Sequence, residues 1–349
     1  MRRPAAGWTA SPRRSLCIGR WAGVVCPELW VPSERGRGIR YSNCCRPGRT
    51  TLSEPLSLMN AVLAPSVAGP PLAADQGWRA RLELGFARRG ERTVMVRNRS
   101  FGPLRVQRPF HPAPGECQVY VLHPPGGLVA GDRLDLHIDA GTDARVLLTT
   151  PGAGRVYRGG EAQRPQTFAV HIRVAAGAHC EWLPQENILF DGAWAENSVR
   201  VDLELGAHYT GWEITCLGRP AAGETFTRGR LDQRLWLWRD AQPLLGERTR
   251  IDGGAALLTA PWGLAGRPVF GSLVTTLRHP GAIERLRALL ASTTSGDLLA
   301  AVTELPELLI VRARAGCATR LRGLFVTLWQ ELRRLQYATE PATPRIWAT

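Results

Sequence analysis

The feature that most constrains this chain is a long series of short runs in which apolar and polar residues alternate. From about Gly77 onward such runs occupy 79–86, 93–97, 104–108, 117–122, 133–138, 145–149, 167–174, 199–205, 209–217, 231–238 and 244–251. A period of two places alternate side chains on opposite faces of a strand, so each run has one face to bury and one to solvate. Gly- and Pro-rich turns separate the runs at the spacing of an all-β protein. So many strands in series predict a mainly β fold, either a sandwich or an irregular stack of strands, because no fixed repeat is present.

Only near the C-terminus does the period change to that of a helix. Ile283, Leu286, Leu289 and Leu290 make a short apolar face. Leu321, Leu324, Phe325, Leu328, Trp329, Leu332 and Leu335 make a longer one. Residues 307–314 between them are expected to form a last strand. Each helix has two readings. It packs on the sheet, or, for the second, it docks a partner through Trp329, Phe325 and Leu328, flanked by Arg320, Arg322, Arg333 and Arg334.

The first 58 residues have neither period. They carry ten Arg against Glu28, Glu34 and Glu54, with Trp, Pro and Cys scattered among them. They are expected to be an unstructured N-terminal extension, lying upstream of a true start at Met59, with 59–76 as a linker into a domain spanning 77–349. A twin-arginine or transit signal fits poorly, because Arg20 interrupts the one apolar stretch. No run approaches the ~20 apolar residues of a membrane-spanning helix.

The net charge of +14 raises the question of a nucleic-acid partner. All 44 basic residues are Arg, and they accompany 37 Gly and 26 Pro. That composition reads as a coding bias rather than selection for phosphate contact, so no nucleic-acid role is expected. The eight Cys contain no C-x-x-C pair, which argues against a zinc knuckle or a thioredoxin-type site. Those inside apolar strands are expected to be small buried hydrophobes, and a reducing cytoplasm is the simplest compartment.

The chemistry-bearing residues lie in four Gly/Pro blocks: 123–132, 149–153, 182–186 and 217–225. The last has Walker A spacing from Gly218 to Gly223, but Glu224 stands where Lys must neutralise phosphate charge. Gly152 and Gly154 are followed by Tyr157, not by the third Gly of a dinucleotide fingerprint. There is no G-x-S-x-G and no H-x-x-x-H. Glu186 with Asp191 leaves open a carbohydrate-active β-solenoid using paired carboxylates. The acidic residues Asp132, Glu186, Asp191, Glu213, Glu224 and Glu247 read individually as turn caps or Arg partners. As a group they could line a polar passage for a divalent cation, with His111, His123 and Cys216 as additional ligands.

The blocks together, in unbroken order, resemble the urease accessory protein UreD (UreH) family. The resemblance rests on Pro-Leu-Arg-Val-Gln-Arg-Pro-Phe at 103–110, Leu-His-Pro-Pro-Gly-Gly-Leu-Val-Ala-Gly-Asp at 122–132 and Thr-Thr-Pro-Gly-Ala-Gly-Arg-Val-Tyr-Arg at 149–158. It continues through 182–186, Cys-Leu-Gly-Arg-Pro-Ala-Ala-Gly-Glu-Thr-Phe at 216–226 and Pro344-Arg-Ile-Trp. It implies an irregular β-helix-like stack of strands with two helices, and a maturation factor that is not itself an enzyme. The implied partners are UreF, the GTPase UreG and the urease apoprotein, in a hetero-oligomer that could dimerise through UreF. The implied cargo is transient Ni2+, with no tightly bound cofactor. Carried onto this sequence, the nickel passage would use Asp132, Glu213 and Glu247, with Glu186 as a further candidate. The remaining alternative is a docking scaffold that carries no metal.

Overall fold

The computed structural model describes residues 77–159, 164–337 and 341–348. The expected extension, the start at Met59 and the linker therefore lie outside the described residues. Strands β1 (Arg79–Arg89) and β2 (Arg92–Phe101) form a hairpin, and β3 (Arg105–Val106) folds against β4 (Glu116–Leu122).

The chain then winds between two sheets. It passes from β4 to β5 (Arg133–Ala140), crosses to β6 (Arg145–Thr149) and β7 (Gly154–Val156), and returns as β8 (Gln166–Val174). The next turn is β9 (His179–Trp182), β10 (Asn187–Leu189) and β11 (Trp194–Leu203), followed by β12 (His208–Leu217) and β13 (Arg230–Arg239). Each strand lies parallel to its counterpart one turn earlier. β5, β8, β11 and β13 stack in one sheet, and β4, β6, β9 and β12 stack in the other. This is the β-helix-like arrangement that the resemblance implied.

After β13 the winding stops. β14 (Gln242–Asp252) turns back antiparallel on β13, and β15 (Val269–Thr275) runs antiparallel to β12. The helix α1 (Ala282–Thr293), the hairpin of β16 (Leu299–Leu305) and β17 (Leu308–Ala315), and the helix α2 (Ala318–Tyr337) complete the chain's second sheet and its cover.

The alternation explains the layers. In β11, Ala195, Val199, Val201 and Leu203 are buried while Arg200 is exposed, so one face meets the core and the other meets water. The first core fills the space between the sheets. Leu136, Ile138, Ile172 and Val201 from one side meet Val119, Val146, Leu148 and Trp182 from the other. The second sheet is buried on both faces, because its outer side carries the two helices. Leu147, Trp212, Ile214 and Val311 pack there against Leu286, Leu321 and Phe325. That double burial gives β4 and β6 nearly continuous burial instead of alternation. It also accounts for strands missing from the sequence reading: β9 and β10 are short, and β15 is interrupted by Gly271.

One expectation is overturned here. Trp329, Phe325 and Leu328 are not a partner-binding surface, since each is 0% exposed. They are the face by which α2 docks on its own second sheet. The Trp329 indole N–H donates to Glu181 Oε1 (2.9 Å) beneath the helix. Arg333, expected on a basic rim, is also buried and pairs with Glu116 and, at 3.5 Å, with Glu181. An apolar sheet face of this size needs a cover, and the helix supplies it within the same chain.

Candidate functional site

Three of the four Gly/Pro blocks converge on one space. A cavity of about 310 Å³ lies between the sheets, and residues from 123–128, 150–155 and 182–187 line it. The rest of the wall is largely apolar and includes Leu134, Phe168 and Trp182. Into it project a few polar side chains, among them His123, Asn187, Asn197 and Glu213.

Glu213 reaches the cavity because its neighbours Trp212 and Ile214 belong to the core under the helices, so the residue between them turns inward. Its carboxyl accepts a hydrogen bond from Gln233 Nε2 (3.1 Å), and Gln233 Oε1 in turn accepts one from the Thr215 hydroxyl (2.9 Å). Burial pushes the Glu213 carboxyl up to about 8; the Gln233 hydrogen bond opposes this and the Glu247 carboxylate adds to it. Arg155 also lines the wall, and the remaining titratable residue there is His123. Its Nε2 is buried without a hydrogen-bond partner, and burial holds the ring below its ordinary value against the pull of Asp132.

The other expected passage residues do not line this space. Asp132 is 4% exposed and caps its own turn: the backbone N–H groups of Trp78 (2.7 Å) and Val129 (2.9 Å) both donate to its carboxylate. The turn depends on Gly131, whose φ of 86° lies in the left-handed region that disfavours side chains. Glu247 is tied to Arg312 across the sheets. It acts on Glu213 through its charge. Glu186 is half-buried between the wall residues Gln185 and Asn187 but does not line the cavity, and its Oε2 is buried and unpartnered. Of the four, only Glu213 is a cavity residue; His123 was noted in the sequence only as an additional ligand.

The remaining candidates are structural. The His111 ring bonds the Glu116 carbonyl (2.9 Å), and burial pushes the Cys216 thiol up to about 11. Cys117 and Cys180 are buried as expected, while Cys317 is exposed. Asp191 accepts the backbone N–H groups of Thr227 and Arg228 (both 2.8 Å) and the Arg228 guanidinium (2.7 Å). Against the desolvation of its site, these bonds hold the carboxyl down at about 2. Asp191 is thus committed to a turn rather than paired with Glu186 for glycoside chemistry. In the Walker-like loop, Glu224 accepts the Asp191 N–H (2.9 Å) and the Arg219 guanidinium (3.0 Å). A side chain at Gly218 would place its Cβ 2.4 Å from the Glu224 carbonyl oxygen, so the loop is closed on itself instead of open to a phosphate.

Among the described residues, no three His, Cys, Asp or Glu side chains converge to hold a metal ion, and no helix is long and apolar enough to cross a membrane. The family model for the UreD urease accessory protein matches residues 78–348. The chain belongs to the UreD urease accessory protein family. Its relatives include the urease accessory protein UreD of Alkalilimnicola ehrlichii, 43% identical over 291 residues, covering 82% of this chain and 97% of that one. The UreD of Saccharophagus degradans is 40% identical over 83% of this chain and all of its own length. The UreD of Trichormus variabilis is 39% identical over 78% of this chain and 97% of its own. The family match begins at the residue before β1 and ends at the last described residue, so it takes in both sheets, both helices and the cavity.

Proposed function

We propose that this chain is a urease maturation factor that assembles with UreF and UreG on apo-urease and helps deliver nickel through the space between its sheets. It acts in the cytoplasm, as a protein that performs no chemical conversion itself. Family membership supports the role in urease maturation. The observation that carries the passage is Glu213, a carboxyl group facing a cavity that three family-like turn blocks surround.

The chemistry suits a passing cation. Ni2+ accepts carboxylate and imidazole ligands, and two dispersed donors favour transfer over storage. Glu213, held largely protonated near neutral pH, releases its proton when a cation arrives, so loading and proton release are coupled. His123 offers a neutral imidazole on the same wall. Nucleotide hydrolysis falls to UreG, because the Walker-like loop of this chain presents Glu224 and is closed by Arg219.

The test is co-expression of Glu213→Gln with UreF, UreG and urease. The assembly is expected to form in normal amounts, while the urease it yields contains less nickel by metal analysis. Normal nickel content in that urease would rule out the passage and leave a docking scaffold that carries no metal.

A further inference from the structure

The outward face of the first sheet holds a pair of imidazoles that the cavity does not use. β5 and β8 run in parallel, and their register places His137 directly beside His171. The two rings stack with centroids 5.0 Å apart and planes 10° apart. Alternation puts them there: Leu136, Ile138 and Ile172 fill the core, so the residues between point to the opposite side. His171 is exposed and His137 half-buried, and both border a shallow depression of about 360 Å³ with Arg81, Asp139, Arg173 and Asp202.

Of the acidic groups around the pair, all but Asp135 are matched to Arg side chains. Asp139 is held by Arg97 and Arg173, Asp202 by Arg200 (2.9 Å) and Glu83 by Arg81 (2.8 Å). No hydrogen bond to either His137 or His171 is made among the described residues. Partial burial, the nearby Arg81 and His171 itself favour the uncharged form of His137, against Asp135 and Glu83. Two imidazoles therefore lie side by side on adjacent strands, with no hydrogen bond among the described residues holding either ring.

We propose that His137 and His171 form a surface site for a borderline divalent cation, of the class of Ni2+, Zn2+ or Cu2+. Such ions prefer imidazole, whereas Mg2+ and Ca2+ require several oxygen ligands, and here Glu83, Asp139 and Asp202 are tied to Arg, leaving Asp135 alone. Bonds of about 2.0–2.1 Å need the two nitrogens roughly 3 Å apart. Small rotations of two solvent-facing rings, on strands about 4.8 Å apart, bring them to that separation. Among the described residues no third His, Cys, Asp or Glu converges on the pair, so water completes the coordination and the ion exchanges readily. The site lies on the opposite face of the strands whose inward residues Leu134 and Phe168 line the cavity, and it does not depend on the passage.

The test is equilibrium dialysis of the full chain against NiCl2 and, separately, ZnCl2, near neutral pH. His137→Ala and His171→Ala are each expected to weaken one site at least tenfold, and the double variant to abolish it. Glu213→Gln is expected to leave that site unchanged, which separates it from the passage. Wild-type stoichiometry and affinity in the double variant would overturn the proposal. So would full affinity in either single variant, because one imidazole would then suffice. Circular dichroism of the variants, whose changes lie on the solvent face, checks that the fold is retained.

Discussion

Glu213 sits where a carboxyl group is more stable protonated than ionised, and that preference has a consequence for stability. Its folded value of about 8 lies above the ordinary 4.5, so between those values the folded chain holds a proton that the unfolded chain has released. Its contribution is therefore lost as pH rises from about 4.5 towards 8. Glu181, pushed up to about 7 by burial despite Arg333, acts in the same direction. Glu213→Gln removes one of the two groups. Its unfolding free energy, measured by denaturant titration at about pH 5 and about pH 8, is expected to fall less with pH than that of the wild type. An unchanged slope would show that Glu213 is ionised in the folded chain. Asp132 has a different task, since two backbone N–H groups already occupy its oxygens. The Gly-Asp turn was legible in the sequence because a carboxylate next to Gly is a usual turn cap. That it caps the turn instead of facing the cavity was not, because both roles use the same residues.

At the scale of elements, α2 shows how a helical face can be read two ways. Leu321, Phe325, Leu328, Trp329 and Leu332 have the same spacing whether they meet a sheet or a partner. The outer face of the second sheet decides the matter, because its apolar residues are otherwise uncovered. Arg333 follows the same logic. It looked like a solvent-facing charge, yet it is inserted between Glu116 and Glu181, where removing the guanidinium would leave two buried carboxyl groups with no counter-charge. Trp329→Ala is accordingly expected to cost about 3–5 kcal/mol of stability by chemical denaturation. Any loss of partner capture should follow loss of the fold. A variant that unfolds like the wild type but fails to capture UreF would restore the docking reading.

For the whole molecule, the described residues and the family match both begin just before β1, well after Met59. A chain beginning at Met59 is expected to support urease activation in cells to the same level as the full chain, measured by urease activity and by co-purification with urease. Reduced activation would assign a function to the Arg-rich segment. Much of the fold was legible before any coordinates, because local chemistry specifies it: alternating residues make two-faced strands, Gly and Pro punctuate them, and i, i+3, i+4 spacing makes helices.

What the sequence alone determined is thus the mainly β class, the inward and outward faces of most strands, the two helices and the family. The tertiary structure alone decided which side chains share a space. Asp132, Glu186, Glu213 and Glu247 are equivalent as acidic residues near turns, and alternation tells only that a side chain points in or out. Which strand lies opposite depends on register between turns of the stack, a contact between residues far apart in the chain. That register brings three distant turn blocks around Glu213, sets Glu247 against Arg312, and stacks His137 on His171.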